Sequence, residues 1–169
     1  LAKSAGKALT SYNIDPAGNS AKLDEAKQKI DQAIQLPDAQ AVPQAWITRG
    51  DIYNTILQRD MGRRMVDPKS PLTGDNDALV AFNAYAKGIE ISTKKYEKSD
   101  ALKGISEIQA YLINIGVSKF EAGEYDKAFQ SSEAALKSHD LLKSNGQKSL
   151  LDDAKQADDQ IYFSGLAAQ

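Results

Sequence analysis

The sequence contains no cysteine. This absence excludes disulfide bonds, thiolate nucleophiles and every metal site that is built on cysteine. It does not decide the compartment, because a chain without cysteine is compatible with a reducing cytoplasm and with an oxidising periplasm. Histidine is almost as scarce, since His139 is the only one. No serine, cysteine or second histidine stands at a useful spacing from it in the sequence, so we expect a structural or surface side chain.

The chain also lacks an excess of charge of either sign and any long apolar run. Its 21 Lys and Arg residues nearly balance its 23 Asp and Glu residues, which gives a net charge of −2. A protein that binds nucleic acid needs a basic face to displace counterions from phosphates, and this balance indicates none. No apolar run approaches the roughly 18 residues of a membrane-spanning helix. A glycine-rich phosphate loop and a nucleophile motif are missing too, so we expect neither an enzyme nor a bound cofactor.

What is present indicates a helical protein with one continuous core. Hydrophobic residues make up 41% of the 169 positions and charged residues 26%, which is typical of a globular domain. The stretch Tyr111–Lys137 predicts two amphipathic helices joined by a turn at Glu121-Ala122-Gly123. Small residues stand where the two backbones would touch, at Gly116, Ala128 and Ala135. The sequence therefore predicts a helical hairpin here.

A second hairpin is predicted around Trp46, Gly50 and Tyr53. Its glycine would let a neighbouring helix approach, while the two aromatic rings fill the holes beside it. This first helix is predicted to end at about residue 61. Residues 62–76 contain several helix breakers and are predicted to form a loop of about fifteen residues, a length that is usually functional or disordered. The partner helix is predicted to follow over residues 77–95.

The two hairpins resemble the tetratricopeptide repeat (TPR), a helix-turn-helix unit of about 34 residues. The positions that match its pattern are Trp46, Gly50, Tyr53, Gly116 and Ala128. Two positions depart from it, because Arg49 replaces a leucine and Ser132 stands where a bulky phenylalanine is expected. Through the segments Trp46–Tyr53 and Asp100–Gly104 the chain is also similar to exported TPR-containing proteins of Bacteroidetes.

The resemblance implies an all-α fold of about seven or eight helices, stacked as antiparallel pairs into a right-handed superhelix. We expect a single domain of irregular repeats, whose approximate units are residues 1–36, 44–95, 100–138 and, in part, 149–169. The last unit would be a first helix without its partner, so we expect the chain to be a fragment of a longer protein. The similarity to exported proteins and the absent start lead us to expect an exported or periplasmic location, with the signal peptide missing from this sequence.

In TPR proteins the first helices of successive pairs line a concave groove. The resemblance therefore implies a partner-binding groove without catalysis or a metal ion, which would receive a protein or peptide segment. The residues predicted to line it are Gln44, Ile47, Asp51, Asn54, Ile113, Val117, Phe120, Tyr162 and Leu166.

A second interpretation of the same face stays open. Ile113, Val117 and Tyr162 are rather apolar for an exposed groove, so this stripe could be filled internally or by a second copy of the chain. The protein would then be a structural or self-associating spacer domain of a larger envelope protein. Its mass in solution separates the two interpretations, because a homo-oligomer that buries Tyr162 and Leu166 favours the spacer.

One ligand class is disfavoured by the resemblance. Chaperone-binding members of the family hold a terminal carboxylate with lysine and asparagine at defined first-helix positions. In this sequence those positions are Ile47 and Asp51 in one unit and Ile113 and Val117 in the next. No cationic clamp results, and Asp51 would repel a carboxylate.

Two charged clusters are interpreted without a ligand. Asp75, Asn76 and Asp77 lack the alternating ligands and the distal glutamate of a calcium loop, so we expect them to cap the following helix. The basic residues beside the 62–76 loop are expected to be solvated; they are Arg59, Arg63, Arg64 and Lys69.

Overall fold

The computed structural model describes residues 1–70, 74 and 76–167. Over these ranges the chain is all-α, which confirms the predicted class. Its helices are α1 (Ala2–Ile14), α2 (Ser20–Ala33), α3 (Pro37–Gln40), α4 (Pro43–Val66), α5 (Asp77–Ile91), α6 (Lys95–Glu121), α7 (Tyr125–Ser144) and α8 (Ala154–Ala167). A short 3₁₀ helix, Leu150–Asp152, separates α7 from α8. Among the described helices, none is both long enough and apolar enough to cross a bilayer.

The predicted turn between α6 and α7 is confirmed, and Gly123 is the reason it is tight. Its φ of +76° lies in the left-handed region, which glycine enters without steric cost. This conformation turns the backbone N–H of Glu124 back to the carbonyl oxygen of Lys119, at 2.9 Å. A free carbonyl at the end of α6 is thereby satisfied before α7 begins.

Helix α4 extends further than predicted. It continues through Gly62 to Val66, so the loop that was expected from residue 62 begins at Asp67. Gly62 is exposed, so it destabilises the helix only through the low helix propensity of glycine. Arg63 and Arg64 interact favourably with the negative end of the helix dipole. The helix ends because Pro68 forces Asp67 into an extended conformation, with φ −131° and ψ 102°. Residues 71–73 and 75 of the predicted loop lie outside the described ranges.

Helix α6 begins earlier than predicted. The unit that was expected from residue 100 starts at Lys95, directly after a short break that follows α5. Glu97 in the first turn is buried and accepts a hydrogen bond from the backbone N–H of Lys94, at 3.3 Å. This contact satisfies one of the free donors at the helix start, and the charged residues 95–100 therefore join the helix.

The chain divides into two compact units, Leu1–Gly104 and Ile105–Gln169, and the division falls within α6. In the first unit α1 packs on α2, both pack on α4, and α4 packs on α5. Its core includes fully buried Leu23, Ile30, Ile52 and Ile56. In the second unit α7 packs on α8 and on the 3₁₀ helix. The buried side chains of the second unit include Ile108, Leu112, Leu142 and Leu151.

Tyr85 of α5 sits between two glycines in the first unit. A Cβ atom added at Gly50 of α4 would lie 2.5 Å from Cε1 of the tyrosine ring, and one at Gly104 of α6 would lie 2.2 Å from Cζ. Real Cβ atoms do not approach so closely, so both positions require glycine for close packing. The ring is 1% exposed, and its hydroxyl donates a hydrogen bond to Oδ1 of Asp51, at 2.9 Å.

The two departures from the repeat pattern have visible physical reasons. Arg49 extends to α2, where its Nε lies 3.1 Å from Oδ1 of Asp31 and its guanidinium lies over the ring of Tyr53. Ser132 of α7 is buried against α6, and a Cβ at Gly116 would come within 2.8 Å of its Oγ. A phenylalanine at position 132 would not fit at this helix separation.

Candidate partner-binding groove

An open groove of about 840 Å³ lies in the first unit between α1 and the first half of α4. One wall is formed by α1 and the other by α4, with Val42 at the start of α4. The residues that line it include Lys3, Gly6, Lys7, Gln44, Thr48 and Asp51. Ala2, Leu9, Val42 and Ala45 also line it, so the groove offers apolar surface together with hydrogen-bonding groups and room for a backbone.

The wall on α1 follows from the amphipathic pattern of that helix. Ala5, Ala8, Leu9 and Tyr12 are buried against the rest of the unit, whereas Lys3 and Lys7 are exposed and lie at the edge of the groove. The two lysines stand four residues apart, so they lie one above the other on the helix surface. Neither forms an ion pair with any described residue. This wall is therefore cationic.

The wall on α4 is polar and carries one carboxylate. Gln44 is exposed, and Thr48 and Asp51 are partly exposed. The carboxylate of Asp51 is held by the hydroxyl of Tyr85, at 2.9 Å. Helix α4 also packs against α2 and α5, which cover other parts of its surface. Asp51 thus adds a carboxylate to the wall opposite the two lysines.

The predicted groove residues of the first unit separate into two groups. Gln44 and Asp51 line the open groove. Ile47 is 1% exposed and lies against α5, where a Cβ at Gly88 would be 3.0 Å from its Cγ1. Asn54 is 5% exposed and accepts a hydrogen bond from Gln58. Ile47 and Asn54 are therefore buried by the packing of α4 and do not reach the groove surface.

The predicted groove residues of the second unit lie at or near its surface. Ile113 and Val117 of α6 and Leu166 of α8 are half-buried, whereas Tyr162 is 63% exposed. Phe120 is half-buried and packs edge-to-face on Phe163, with ring centroids 5.5 Å apart. Phe163 also packs edge-to-face on Tyr162, so an aromatic cluster lies among the predicted groove residues of this unit.

Sequence reasoning did not identify α1 as a wall of the groove, and it missed Thr48. The repeat pattern has no strong match in residues 1–14, so it gave no signal there. A signal did exist in the helical spacing. Thr48 stands four residues after Gln44 and three before Asp51, and therefore shares their face. Lys3 and Lys7 share a face of α1 in the same way.

His139 takes part in a capping arrangement of the second unit. Its Nδ1 atom lies 2.9 Å from Oγ of Ser149 and 3.9 Å from Oδ1 of Asp152. A catalytic Ser-His-Asp relay needs the serine and the carboxylate on opposite ring nitrogens, whereas both approach Nδ1 here. Ser149 and Asp152 instead form a capping box at the start of the 3₁₀ helix. The contact supports the structural interpretation of His139.

The expected solvation holds for Arg63, Arg64 and Lys69, which are exposed, but not for Arg59, which is largely buried and paired. Asp60 is 1% exposed, and its Oδ1 lies 3.0 Å from Nε of Arg59 and 3.7 Å from Nη1 of Arg63. Asp77 opens α5 and is 7% exposed. Burial raises the pKa of Asp77 to about 6. In the part of the chain that the structure describes, no group of three or more metal-ligating side chains comes together.

Comparison with models of known protein families, with curated proteins and with solved structures gives no match for this chain.

Proposed function

We propose that this chain is a non-catalytic interaction module of the TPR type, which holds an extended segment of a protein partner between α1 and α4. The observation that carries the proposal is the open groove of about 840 Å³ between these helices. Each of the two helices packs on the helix hairpin partner that the repeat pattern implies, α1 on α2 and α4 on α5. A groove between successive first helices is where a repeat superhelix receives its partner.

The dimensions of the groove favour a short stretch of chain. From Lys3 to Thr10 the α1 wall rises about 10 Å, at 1.5 Å per residue. An extended polypeptide covers that distance with about three residues. Gly6, which has no side chain, and the small Ala45 leave room for a backbone, while Gln44 and Thr48 can exchange hydrogen bonds with it. A small-molecule site would instead be a more enclosed pocket that covers most of its ligand.

Selection from a random peptide library, followed by fluorescence polarisation with a selected peptide, tests this proposal. The blocking variant is Gly6→Leu, because a Cβ at Gly6 meets only Cγ2 of Thr48, at 3.8 Å, and a longer side chain would fill the groove. Gly62→Leu is the matched control, since nothing lies within 4 Å of a Cβ there. We expect Gly6→Leu to abolish binding and Gly62→Leu to preserve it, with circular dichroism spectra unchanged.

The proposal fails if no peptide is selected, or if the selected peptide binds the Gly6→Leu variant as tightly as the unmodified chain. The melting temperature of each variant is measured in parallel, so that a loss of binding caused by unfolding is recognised.

Self-association as a spacer domain is the second candidate function. It is favoured by the exposed apolar side chains of α8, where Ile161 is 58% and Tyr162 is 63% exposed. Large exposed apolar groups that lie together are typical of interaction surfaces. Sedimentation velocity tests it. A dimer that dissociates in an Ile161→Ser, Tyr162→Ser variant supports the spacer, and a monomer over the accessible concentration range counts against it.

A further inference from the structure

We propose that the segment held by the α1/α4 groove is acidic, with carboxylates at alternate positions of an extended chain. This inference rests on the proposed peptide-binding function and specifies the chemistry of the partner. It is carried by the charges of the two walls and by the spacing of the lysines along α1.

The α1 wall has positive charge with no compensation on its own helix. Lys3 and Lys7 line the groove, and α1 contains no aspartate or glutamate. Neither lysine is paired with a described residue. The one carboxylate of the lining, Asp51, belongs to the opposite wall and is bound by the Tyr85 hydroxyl. A partner that presents carboxylates to the α1 wall would therefore supply the missing counter-charges.

The spacing of the lysines matches an extended peptide. Four residues of helix rise about 6 Å. Two residues of extended chain advance about 6.6 Å, and their side chains point to the same side. A peptide that runs along α1 could therefore place one carboxylate at Lys3 and the next at Lys7. Successive glutamates would not do so, because neighbouring side chains of an extended strand point to opposite faces.

The α4 wall restricts the residue between the two acids. That side chain would face Gln44, Thr48 and Asp51. A third carboxylate would be repelled by Asp51, whereas a threonine or glutamine could exchange hydrogen bonds with Thr48 and Gln44. The predicted segment is therefore acid, neutral polar residue, acid.

The same wall argues against a nucleic acid in this groove. A nucleic acid carries a negative charge at every residue, and the carboxylate of Asp51 would oppose part of that charge. The whole chain is itself slightly acidic, with a net charge of −2. An acidic polypeptide segment, whose charges can be confined to one side, fits the two walls better.

The test uses short fluorescein-labelled peptides with acetylated and amidated ends, so that no terminal carboxylate contributes. One peptide alternates glutamate with threonine, a second alternates glutamine with threonine, and a third places the same number of glutamates in one block. Fluorescence polarisation with the full chain should give the lowest Kd for the alternating glutamate peptide. That Kd should rise when salt is raised, because exposed ion pairs are screened.

The lysines are tested by the double variant Lys3→Gln, Lys7→Gln, for which we expect roughly tenfold weaker binding of the alternating glutamate peptide. The matched control is Lys69→Gln, Lys98→Gln, which removes the same charge at exposed positions of the first unit away from the groove. The control should bind the peptide as the unmodified chain does.

Different outcomes separate this inference from the function on which it rests. If the glutamine peptide binds as tightly as the glutamate peptide, and Gly6→Leu removes both, the acidic preference is overturned while the groove function stands. If the block peptide has the same Kd as the alternating one, the inference is also overturned. The same holds if an oligothymidylate competes as well as the alternating peptide. If neither these peptides nor library peptides bind, both proposals fall.

Discussion

Tyr85 is the residue at which α4, α5 and α6 meet in the first unit. Its ring lies against Gly50 on one helix and Gly104 on another, and its hydroxyl bonds to Asp51. The tyrosine therefore links the core to the groove, because the carboxylate that it holds is part of the α4 wall. Substitutions around this ring should therefore change both the free energy of unfolding and the position of the Asp51 carboxylate.

The first residue-scale prediction concerns Gly50→Ala. Its methyl group would lie 2.5 Å from the buried Tyr85 ring, which has no space to move away. We expect a loss of about 1–3 kcal/mol in the free energy of unfolding, measured by urea denaturation. Gly62→Ala in the same helix is the control, and it should stabilise by about 0.5–1 kcal/mol because its Cβ meets nothing within 4 Å. Equal effects of the two variants would contradict the close-packing explanation.

The second residue-scale prediction concerns the pH dependence that Asp77 contributes. Burial raises its pKa from 3.8 to about 6 in the folded state, so the folded chain binds this proton more tightly than the unfolded chain. The contribution of Asp77 to stability therefore rises as the pH falls from above about 6 toward about 4. Asp77→Asn should stabilise the protein by about 1–2 kcal/mol near pH 8 and by much less near pH 4.

Thermal and urea unfolding of both proteins at several pH values check this expectation. The difference between the variant and the unmodified chain isolates Asp77 from the other carboxylates, which titrate in both. An effect of Asp77→Asn that is constant across the pH range would show that the carboxyl does not titrate as proposed.

At the scale of elements, the buried amide of Gln109 attaches the 3₁₀ helix to α6 and α7. Its Nε2 donates to Oγ of Ser138, at 3.0 Å, and to Oγ of Ser149, at 2.8 Å. Its Oε1 accepts from the backbone N–H of Leu150, at 2.8 Å. Gln109 is 1% exposed, so no water can replace these bonds once the amide is removed.

We expect Gln109→Leu to lower the free energy of unfolding by about 1–3 kcal/mol, because it leaves several buried polar groups without partners. Hydrogen exchange should quicken at the amides of residues 150–152 in particular. Gln130→Leu makes the same chemical change at an exposed site of α7 and should stay within about 0.5 kcal/mol of the unmodified chain. Unchanged exchange at residues 150–152 in Gln109→Leu would contradict the attachment.

The helical class and the main hairpin turn were predictable because they depend on local sequence. Apolar periodicity and Gly123 are visible in a short window of residues. The end of α4 was not predictable in this way. An exposed glycine at position 62 ends a helix only when nothing else favours the helix, and here Arg63 and Arg64 favour it. The start of α6 likewise depended on Glu97, whose bond to Lys94 is not apparent from composition.

The groove shows the same distinction between local and tertiary information. Gln44 and Asp51 were predicted from spacing, and they line the open groove. Ile47 and Asn54 occupy neighbouring positions on the helix but are buried, because α4 is covered from more than one side. The number of helices that pack against a given helix is a tertiary property. The sequence pattern of a single repeat does not predict it. The proposed role of Gln44 and Asp51 in binding a partner stays a prediction.

At the scale of the whole molecule, each compact unit has its own buried core, so stability is expected to be distributed locally. Trp46 is the only tryptophan and lies in the first unit, where its Nε1 donates to the carbonyl of Gln40. Its fluorescence therefore reports on that unit, whereas circular dichroism reports on every helix.

This difference gives a prediction for the whole chain. Gln109→Leu should lower the urea midpoint seen by circular dichroism more than the midpoint seen by Trp46 fluorescence, whereas Gly50→Ala should lower the fluorescence midpoint. The reason is that Gln109 lies in the second unit and Gly50 in the first. Identical midpoints from both probes in both variants would show instead that the chain unfolds in a single cooperative step.

The ring of Tyr85 also has a consequence for motion. An aromatic ring can rotate about its axis only if the surrounding atoms open a temporary space, and the backbones at Gly50 and Gly104 close in on this one. Rotation should therefore be slow enough for the two edges of the ring to give separate signals in solution NMR. The rate at which those signals exchange would report how often the three helices move apart.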